Sequence, residues 1–295
     1  MKVLITGGLG YVGIGISPVL NRFYDLRITH WREPENEIPY EFMKCDIRNK
    51  EEVEKVVEGV DVIVHLAAKG AKNPDTVPYK EAIEVNILGT ANLLEGAAKF
   101  KIKKFIFTST VHVYGLYYQG VVPEYFPIDE EHPKKPSCPY GITKFMAEKL
   151  IENFCRMKNI PAVILREGLT LRRGFNLESF INEGRPDGFF QYIDVRDVAY
   201  AIKLLIDKDF EGCHTFNLVA KDNSLSWKIK TVDLIKKFFP EVKYDKKFYS
   251  ENEYGSLFKA EKIRKFVGFK EKFPLSRLIK WVNEGKKGDY FERLE

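Results

Sequence analysis

The stretch Thr6-Gly7-Gly8-Leu9-Gly10-Tyr11-Val12-Gly13 decides the fold. It follows a short apolar run, residues 2–6, and opens a segment with helical periodicity, residues 10–22. That setting separates a phosphate-binding turn from an ordinary strand-to-helix corner. Gly7 permits the tight turn, and Gly10 leaves no Cβ between the backbone and a pyrophosphate. Gly13 lets the helix lie close to the sheet. The helix N-terminus then offers N–H groups and a partial positive charge to the phosphates. Tyr11 and Val12 belong to the same expected cofactor-binding turn.

Outward from this turn, apolar runs alternate with amphipathic ones. Strands are expected over residues 26–29, 41–44, 61–66, 104–108 and 162–166. Helices are expected over 51–57, 79–99 and 140–157. Continuous Val/Ile runs separated by helices are what a parallel sheet covered on both faces requires. Past Arg166 the rhythm changes. Residues 169–188 are rich in Gly and Arg and read as irregular. Helices at 195–206, 226–239, 259–267 and 275–284 and a strand at 215–219 follow. The expected architecture is an α/β protein with a Rossmann-type doubly wound parallel sheet over residues 1–166. Residues 167–295 form a smaller, mixed α/β substrate-binding lobe, some of whose segments return to the main sheet.

Composition narrows the function. The net charge of +5, from 47 basic and 42 acidic residues, gives a mild attraction for anions without the basic stripe of a nucleic-acid binder. Cys45, Cys138, Cys155 and Cys213 form no C-x-x-C pair. They read as reduced thiols of a cytoplasmic protein, with no metal site. No apolar run approaches the roughly 20 residues of a membrane helix, and the first one is too short for a signal peptide. The expected partner is therefore a small molecule, not a nucleic acid or a membrane.

Tyr140-Gly141-Ile142-Thr143-Lys144 sets a phenol and an ammonium at i and i+4, on one face of a helix. A cation at roughly 4 Å in an effective dielectric near 20 contributes on the order of 4 kcal/mol. That brings a phenol with an ordinary pKa of about 10 toward about 7, where it serves as a general acid or base. A strand ends just upstream at Phe107-Thr108-Ser109-Thr110. The Thr110 hydroxyl can hydrogen-bond a reacting substrate oxygen, and Ser109 reads as satisfying backbone groups at the strand end. At the end of the second strand, Thr29-His30-Trp31-Arg32 replaces the carboxylate that favours NAD. His30 and Arg32 put NADP ahead of NAD there.

Together these residues resemble the extended short-chain dehydrogenase/reductase family, also called the NAD-dependent epimerase/dehydratase family. The resemblance spans nearly the whole chain. Gly7, Gly10 and Gly13 match its glycine turn. Asp46 and Ile47, after Cys45, match a step that sits on the adenine. His65-Leu66-Ala67-Ala68 matches the H-x-A-A segment that runs beside the cofactor. Asn86-Ile87-Leu88-Gly89-Thr90 matches the N-x-x-G-T helix, whose Asn helps position the catalytic lysine. Thr110 falls four residues before the Tyr of Val113-Tyr114-Gly115, and Pro139-Tyr140-Gly141 with Lys144 matches the catalytic helix. The segments from Tyr192 to Ala199 and from Lys259 to Phe269 resemble later family motifs.

The resemblance implies an NAD(P)-dependent oxidoreductase acting on a sugar or sugar-acid-like substrate. Tyr140 would act as acid/base, Lys144 as its support and ribose ligand, Thr110 as orienting hydroxyl and Asn86 as the support of Lys144. It also implies a homodimer, paired through the Tyr140 helix and the long helix before Lys104. Two departures bear on the substrate. Glu167-Gly168-Leu169-Thr170 stands where the family carries N-x-Y-G-P, and the stretch from Arg166 to Asp194 is short for a nucleotide-sugar site. The shortening, with His112 two residues after Thr110, is similar to uronate dehydrogenases. His112 is then expected on a substrate carboxylate or hydroxyl, and Arg172 and Arg173 on an anionic substrate group. The alternatives are a UDP-glucose-type 4-epimerase and a non-catalytic NAD(P)-binding sensor.

Overall fold

The first strand, β1 (Lys2–Thr6), sends Val3 and Ile5 to one face of a sheet and Leu4 to the other, and all three are fully buried. The same two-sided burial recurs in its neighbours, β2 (Asp25–His30), β4 (Val62–His65), β5 (Lys104–Thr110) and β7 (Ala162–Glu167). With β3 (Glu41–Lys44) at one edge and β10 (Cys213–Leu218) at the other, they form a seven-stranded sheet in the order β10-β7-β5-β4-β1-β2-β3, with the short β6 (Tyr125–Phe126) outside it. Every neighbouring pair is parallel. The computed structural model describes residues 1–70, 76–115, 121–175, 191–226, 228–284 and 290–292.

The strand order reverses between β1 and β4. A doubly wound sheet opens a crevice at such a switch point, outside the carboxyl ends of its strands. On one face lie α1 (Gly13–Leu20) and, far along the chain, α6 (Val195–Asp207). They bury Ile16, Val19, Leu20, Val198, Ile202 and Leu205 against Val3, Ile5, Val64 and Val163. On the other face lie α2 (Lys50–Val57), α4 (Gly89–Lys99) and α5 (Pro139–Lys158). Val53, Leu93, Ala147 and Ile151 there cover Leu4, Ile63, Phe105 and Ile164.

Several elements differ from the sequence reading. The first helix starts at Gly13, three residues late, because residues 10–12 still form the turn, with the Gly10 N–H donating to the Gly7 carbonyl at 2.8 Å. The run 79–99 is helical throughout but not uniform. It comprises α3 (Tyr79–Ile83), a wide π turn (Glu84–Leu88) and α4. Helix α7 (Thr231–Phe238) is shorter than expected.

The segments after residue 166 divide. Strand β10 and helix α6 belong to the main sheet and its cover. Strands β8 (Thr170–Leu171) and β9 (Ile193–Asp194) pair with each other beside the crevice, and such two-residue strands carry no periodicity that a sequence reading could detect. A small cluster of Leu171, Tyr192, Leu275, Leu278 and Tyr290 packs there. It is tied to α6 by a buried ion pair, Arg196–Asp194 at 2.7 Å, with Arg196 also donating to the Tyr290 carbonyl at 2.9 Å. Residues 176–188 of the expected irregular stretch lie outside the described residues. Among the described residues no helix is long and apolar enough to cross a membrane.

Candidate active site

A cleft of about 1230 Å³ lies over the carboxyl ends of β1, β4, β5 and β7. Small-molecule sites usually measure about 300–1,000 Å³, so this one has room for more than a single small ligand. Its floor carries the glycine turn at one end and Thr110, Tyr140 and Lys144 at the other.

The turn end is made of backbone. Gly7 has φ +71°, and a Cβ there would stand 2.8 Å from the backbone of Ala67. Only glycine allows β1 and the Leu66-Ala67-Ala68 segment to run this close. A Cβ at Gly13 would strike the Gly8 carbonyl at 2.5 Å, so this glycine packs α1 onto the turn itself. Helix α1 has no acidic residue in its first turn, which leaves its positive end uncompensated. Gly10, Tyr11 and Val12 line the same wall. This cradle, with its helix end, fits the diphosphate of a dinucleotide.

At the far side of the turn, Asp46 and Ile47 line the cleft. The Asp46 carboxylate is held by Arg48 at 2.6 Å, which lowers its pKa. His30 is half-buried, and burial with the nearby Arg32 charge keeps it neutral by lowering its pKa. Arg32 does not line the cleft. The chain bends after β2, folding the Arg32 N–H back toward the His30 ring at 3.3 Å, and the side chain is exposed. Arg48, which the sequence reading missed, is the arginine lining this end.

Arg172 and Arg173 also part company. Arg172 lies 4.0 Å over the Tyr11 ring, whose hydroxyl donates to the Thr170 carbonyl at 3.0 Å. A flat aromatic face is a good seat for a guanidinium, and it draws Arg172 to the phosphate turn and away from Tyr140. Arg173 is exposed and outside the lining.

The other end is made of side chains. Helix α5 is started by the Cys138 thiol, which accepts from the Gly141 N–H at 3.3 Å, and by Pro139 in its first turn. One turn in, it presents Tyr140 and Lys144 to the cleft. The Lys144 ammonium is buried 3.9 Å over the centroid of the Phe107 ring. Thr110, the last residue of β5, lines the cleft and accepts from the His112 N–H at 3.2 Å, which starts a short 3₁₀ turn. Ser109 donates instead to Glu148 at 2.5 Å, and Glu148 is ion-paired with Arg166 at 2.8 Å. Ser109 therefore serves a buried structural pair. The His112 ring meets the Tyr140 ring edge-on at 5.7 Å between centroids.

Asn86 sits in the π turn, and π turns recur at functional sites. It accepts from the Lys69 N–H at 2.6 Å, and donates to the Lys69 carbonyl at 3.2 Å and to the Thr143 hydroxyl at 2.9 Å. Its partner on α5 is the neighbour of Lys144, not Lys144 itself, because adjacent helical residues point in different directions. Asn86 fixes the helix and the post-β4 segment to each other.

The electrostatics overturn one expectation. Burial raises the Tyr140 pKa above its ordinary value, and the Glu167 carboxylate adds to the rise. Lys144, its own charge weakened by burial, does not offset this rise. Burial pulls the Lys144 ammonium itself down to about 7, against the opposing pull of Glu167 and Glu148. A phenol near 7 requires a solvated cation beside it and no carboxyl facing it, whereas Lys144 is buried and Glu167 lies close by. Burial also pushes His112 down to about 4, so it is a neutral hydrogen-bonding group and not a cation for a carboxylate.

Residues 3–170 match the family model described as the NAD dependent epimerase/dehydratase family. Among curated proteins, a Methanocaldococcus jannaschii protein with the provisional name UDP-glucose 4-epimerase is 34% identical over 172 residues, 56% of this chain and 54% of that one. A uronate dehydrogenase of Pseudomonas syringae pv. tomato is 29% identical over 57% of this chain and 58% of its own. An L-arabinose 1-dehydrogenase (NAD(P)(+)) of Haloferax volcanii is 32% identical over 58% and 67%. The match thus spans little more than half the length of the first two relatives. Among solved structures, the UDP-glucose 4-epimerase of Thermotoga maritima aligns with TM-score 0.70 at 21% identity, over 97% of this chain and 99% of its own. The NAD complex of a uronate dehydrogenase from Agrobacterium tumefaciens aligns with TM-score 0.69 at 18% identity, over 97% and 90%. These two alignments concern the fold alone. With more than half of its length matched by the family model, the chain belongs to the NAD dependent epimerase/dehydratase family.

Proposed function

We propose that this protein is an NAD(P)-dependent oxidoreductase that oxidises or reduces a carbinol carbon of a sugar-like small molecule. The observation that carries the reading is the arrangement of the cleft. A glycine cradle at a helix end and a Tyr140–Lys144–Thr110 group line the same cavity. When bound, the oxidised nicotinamide supplies the hydride acceptor and a positive charge. Gly7, Gly10, Tyr11, Val12 and Gly13 hold the phosphates, Asp46 and Ile47 flank the adenine, and Leu66 to Ala68 run beside the cofactor. As the phenolate, Tyr140 takes the hydroxyl proton at its phenol oxygen. Lys144 holds the nicotinamide ribose and, when protonated, favours the phenolate. Thr110 orients the reacting oxygen, and His112 contributes a neutral hydrogen bond.

His30 in place of a carboxylate puts NADP ahead of NAD, with Arg48 as the nearby cation of the lining. Exposed Tyr79, Ile83, Leu88, Met146, Leu150 and Met157 on the α3–α4 run and α5 suit a homodimer paired through these helices, in the cytoplasm. Light scattering at micromolar concentration should give twice the chain mass, and a monomer removes the dimer from this reading.

The Methanocaldococcus jannaschii relative favours a second reading, a nucleotide-sugar 4-epimerase, in which the same groups act in both directions. The test is the dinucleotide content of the purified protein, followed by assay with added NAD(P)⁺ and sugars. An empty site that reduces added cofactor supports the dehydrogenase. A tightly retained dinucleotide with no net reduction points to the epimerase. No affinity for either dinucleotide rejects both.

A further inference from the structure

Glu167 ends β7 and pairs in register with Thr110 at the end of β5. It is buried and lines the cleft with Tyr140 and Lys144. Its Oε1 has no hydrogen-bond partner among the described residues. An unsatisfied buried polar atom costs about 1–3 kcal/mol, more when charged, and in native proteins it calls for an explanation in use. Lys144 does not supply the bond; its ammonium sits over the Phe107 ring. The backbone gives Glu167 no way out. The Gly168 N–H donates to the Leu218 carbonyl at 3.1 Å, and the Leu169 N–H to Gln191 Oε1 at 2.8 Å. A Cβ on Gly168 would stand 1.8 Å from that same Gln191 oxygen. The backbone after Glu167 is thus fixed, and one acceptor of its buried carboxyl is unused.

We propose that Glu167 is a specificity-determining residue that binds a hydroxyl of the substrate and makes this cleft select neutral sugars over sugar acids. The proposal rests on the reading of the cleft as a sugar oxidoreductase site. A uronate carboxylate beside Glu167 either faces a like charge or requires Glu167 to hold a proton. A hydroxyl requires neither, because acid and carboxylate can both hydrogen-bond it. Besides Lys144, the cations lining the described cleft are engaged elsewhere. Arg172 is stacked on Tyr11, Arg48 is paired with Asp46, and Lys69 is paired with Glu81 at 2.5 Å. His112 is neutral. Burial pushes the Glu167 carboxyl up to about 8, against the pull of Lys144. The groups that face it are Lys144 and Tyr140 on α5, with Glu148 behind Lys144, and the hydroxyl of Thr170. Selection against an anion therefore strengthens as pH rises through the Glu167 midpoint.

The test is steady-state kinetics of the full chain at saturating dinucleotide. The substrates are D-glucose against D-glucuronate and D-galactose against D-galacturonate, at one pH below and one above that midpoint. Wild type should show the higher kcat/KM on the neutral member of each pair, by a ratio that grows with pH. In Glu167→Gln that ratio should fall at least tenfold above the midpoint, and its rise with pH should shrink to the part that Lys144 contributes. Wild-type preference for the uronate, or an unchanged ratio in the variant, overturns the proposal. Should the variant not fold, the wild-type ratio and its pH dependence decide alone. A protein that binds dinucleotide, yet neither oxidises any of these sugars nor binds them by calorimetry as Tyr140→Phe, rejects the sugar-site reading and this proposal with it.

Discussion

At the glycine end of the cleft the chain presents backbone and a helix terminus. At the Tyr140 end it presents a phenol, an ammonium and a carboxyl, all withdrawn from water. The first end offers partial charges and the stacked Arg172, and its geometry is enforced by contacts no side chain would survive. The second holds ionisable groups whose charge states depend on one another. A site for an invariant cofactor can be rigid and hold its charges fixed. A site that moves protons needs groups balanced near the working pH. The two ends should therefore fail differently when altered.

Lys144 belongs to both ends and should give the largest effect. Lys144→Met removes the cation proposed for the phenol and for the ribose. Turnover should fall by at least about 10³-fold, within the range of lost acid–base function, and dinucleotide affinity should fall as well. Stopped-flow assay and calorimetry on one preparation separate the two losses. An unchanged affinity would confine Lys144 to the Tyr140 end.

Gly7 belongs to the cofactor end alone. Gly7→Ala must place a Cβ at φ +71° and 2.8 Å from the Ala67 backbone, whereas Gly59→Ala has φ +77° and nothing within 4 Å. Both pay the left-handed penalty of about 1–2 kcal/mol, and only the first displaces the wall of the cleft. Dinucleotide affinity by calorimetry should drop at least tenfold, about 1.4 kcal/mol, in Gly7→Ala and stay unchanged in Gly59→Ala. Equal affinities would mean that the turn does not carry the phosphates.

The smallest effect concerns stability at the Tyr140 end. Glu167 has its folded pKa raised, so between the ordinary carboxylate range and about 8 the folded state holds more protons than the unfolded chain. Its contribution to stability is therefore lost as pH rises through that window. Lys144 works in the opposite sense from about 7 upward, in wild type and variant alike. Thermal unfolding of Glu167→Gln against wild type should shift in favour of the variant as pH rises from the carboxylate range to above about 8. A pH-independent difference would show that Glu167 titrates alike in the folded and the unfolded protein.

The same contrast explains what the sequence could and could not reveal. The cofactor end is local. Glycines at 7, 10 and 13 are contiguous with β1 and α1, so their meaning survives in one dimension. The parallel strands were legible for a related reason, since a strand buried on both faces is an unbroken apolar run. The Tyr140 end is assembled from β5, α5 and β7, and charge balance there depends on distances that no spacing encodes. Glu167 left a trace, a carboxylate one place past the Arg166 that closes the apolar run Ala162-Val163-Ile164-Leu165, but its partners did not. Arg32 and Arg173 carry the right charge in nearly the right place, and one bend of backbone turns each from the cleft.

The central claim is that Tyr140 moves the proton in a hydride-transfer reaction while the glycine end holds the cofactor independently of it. The direct measurement is nicotinamide absorbance during sugar oxidation by wild type and Tyr140→Phe, with dinucleotide affinity measured on both. The account predicts turnover reduced by about 10²–10⁴-fold at unchanged affinity. Wild-type turnover in the Phe variant would contradict it.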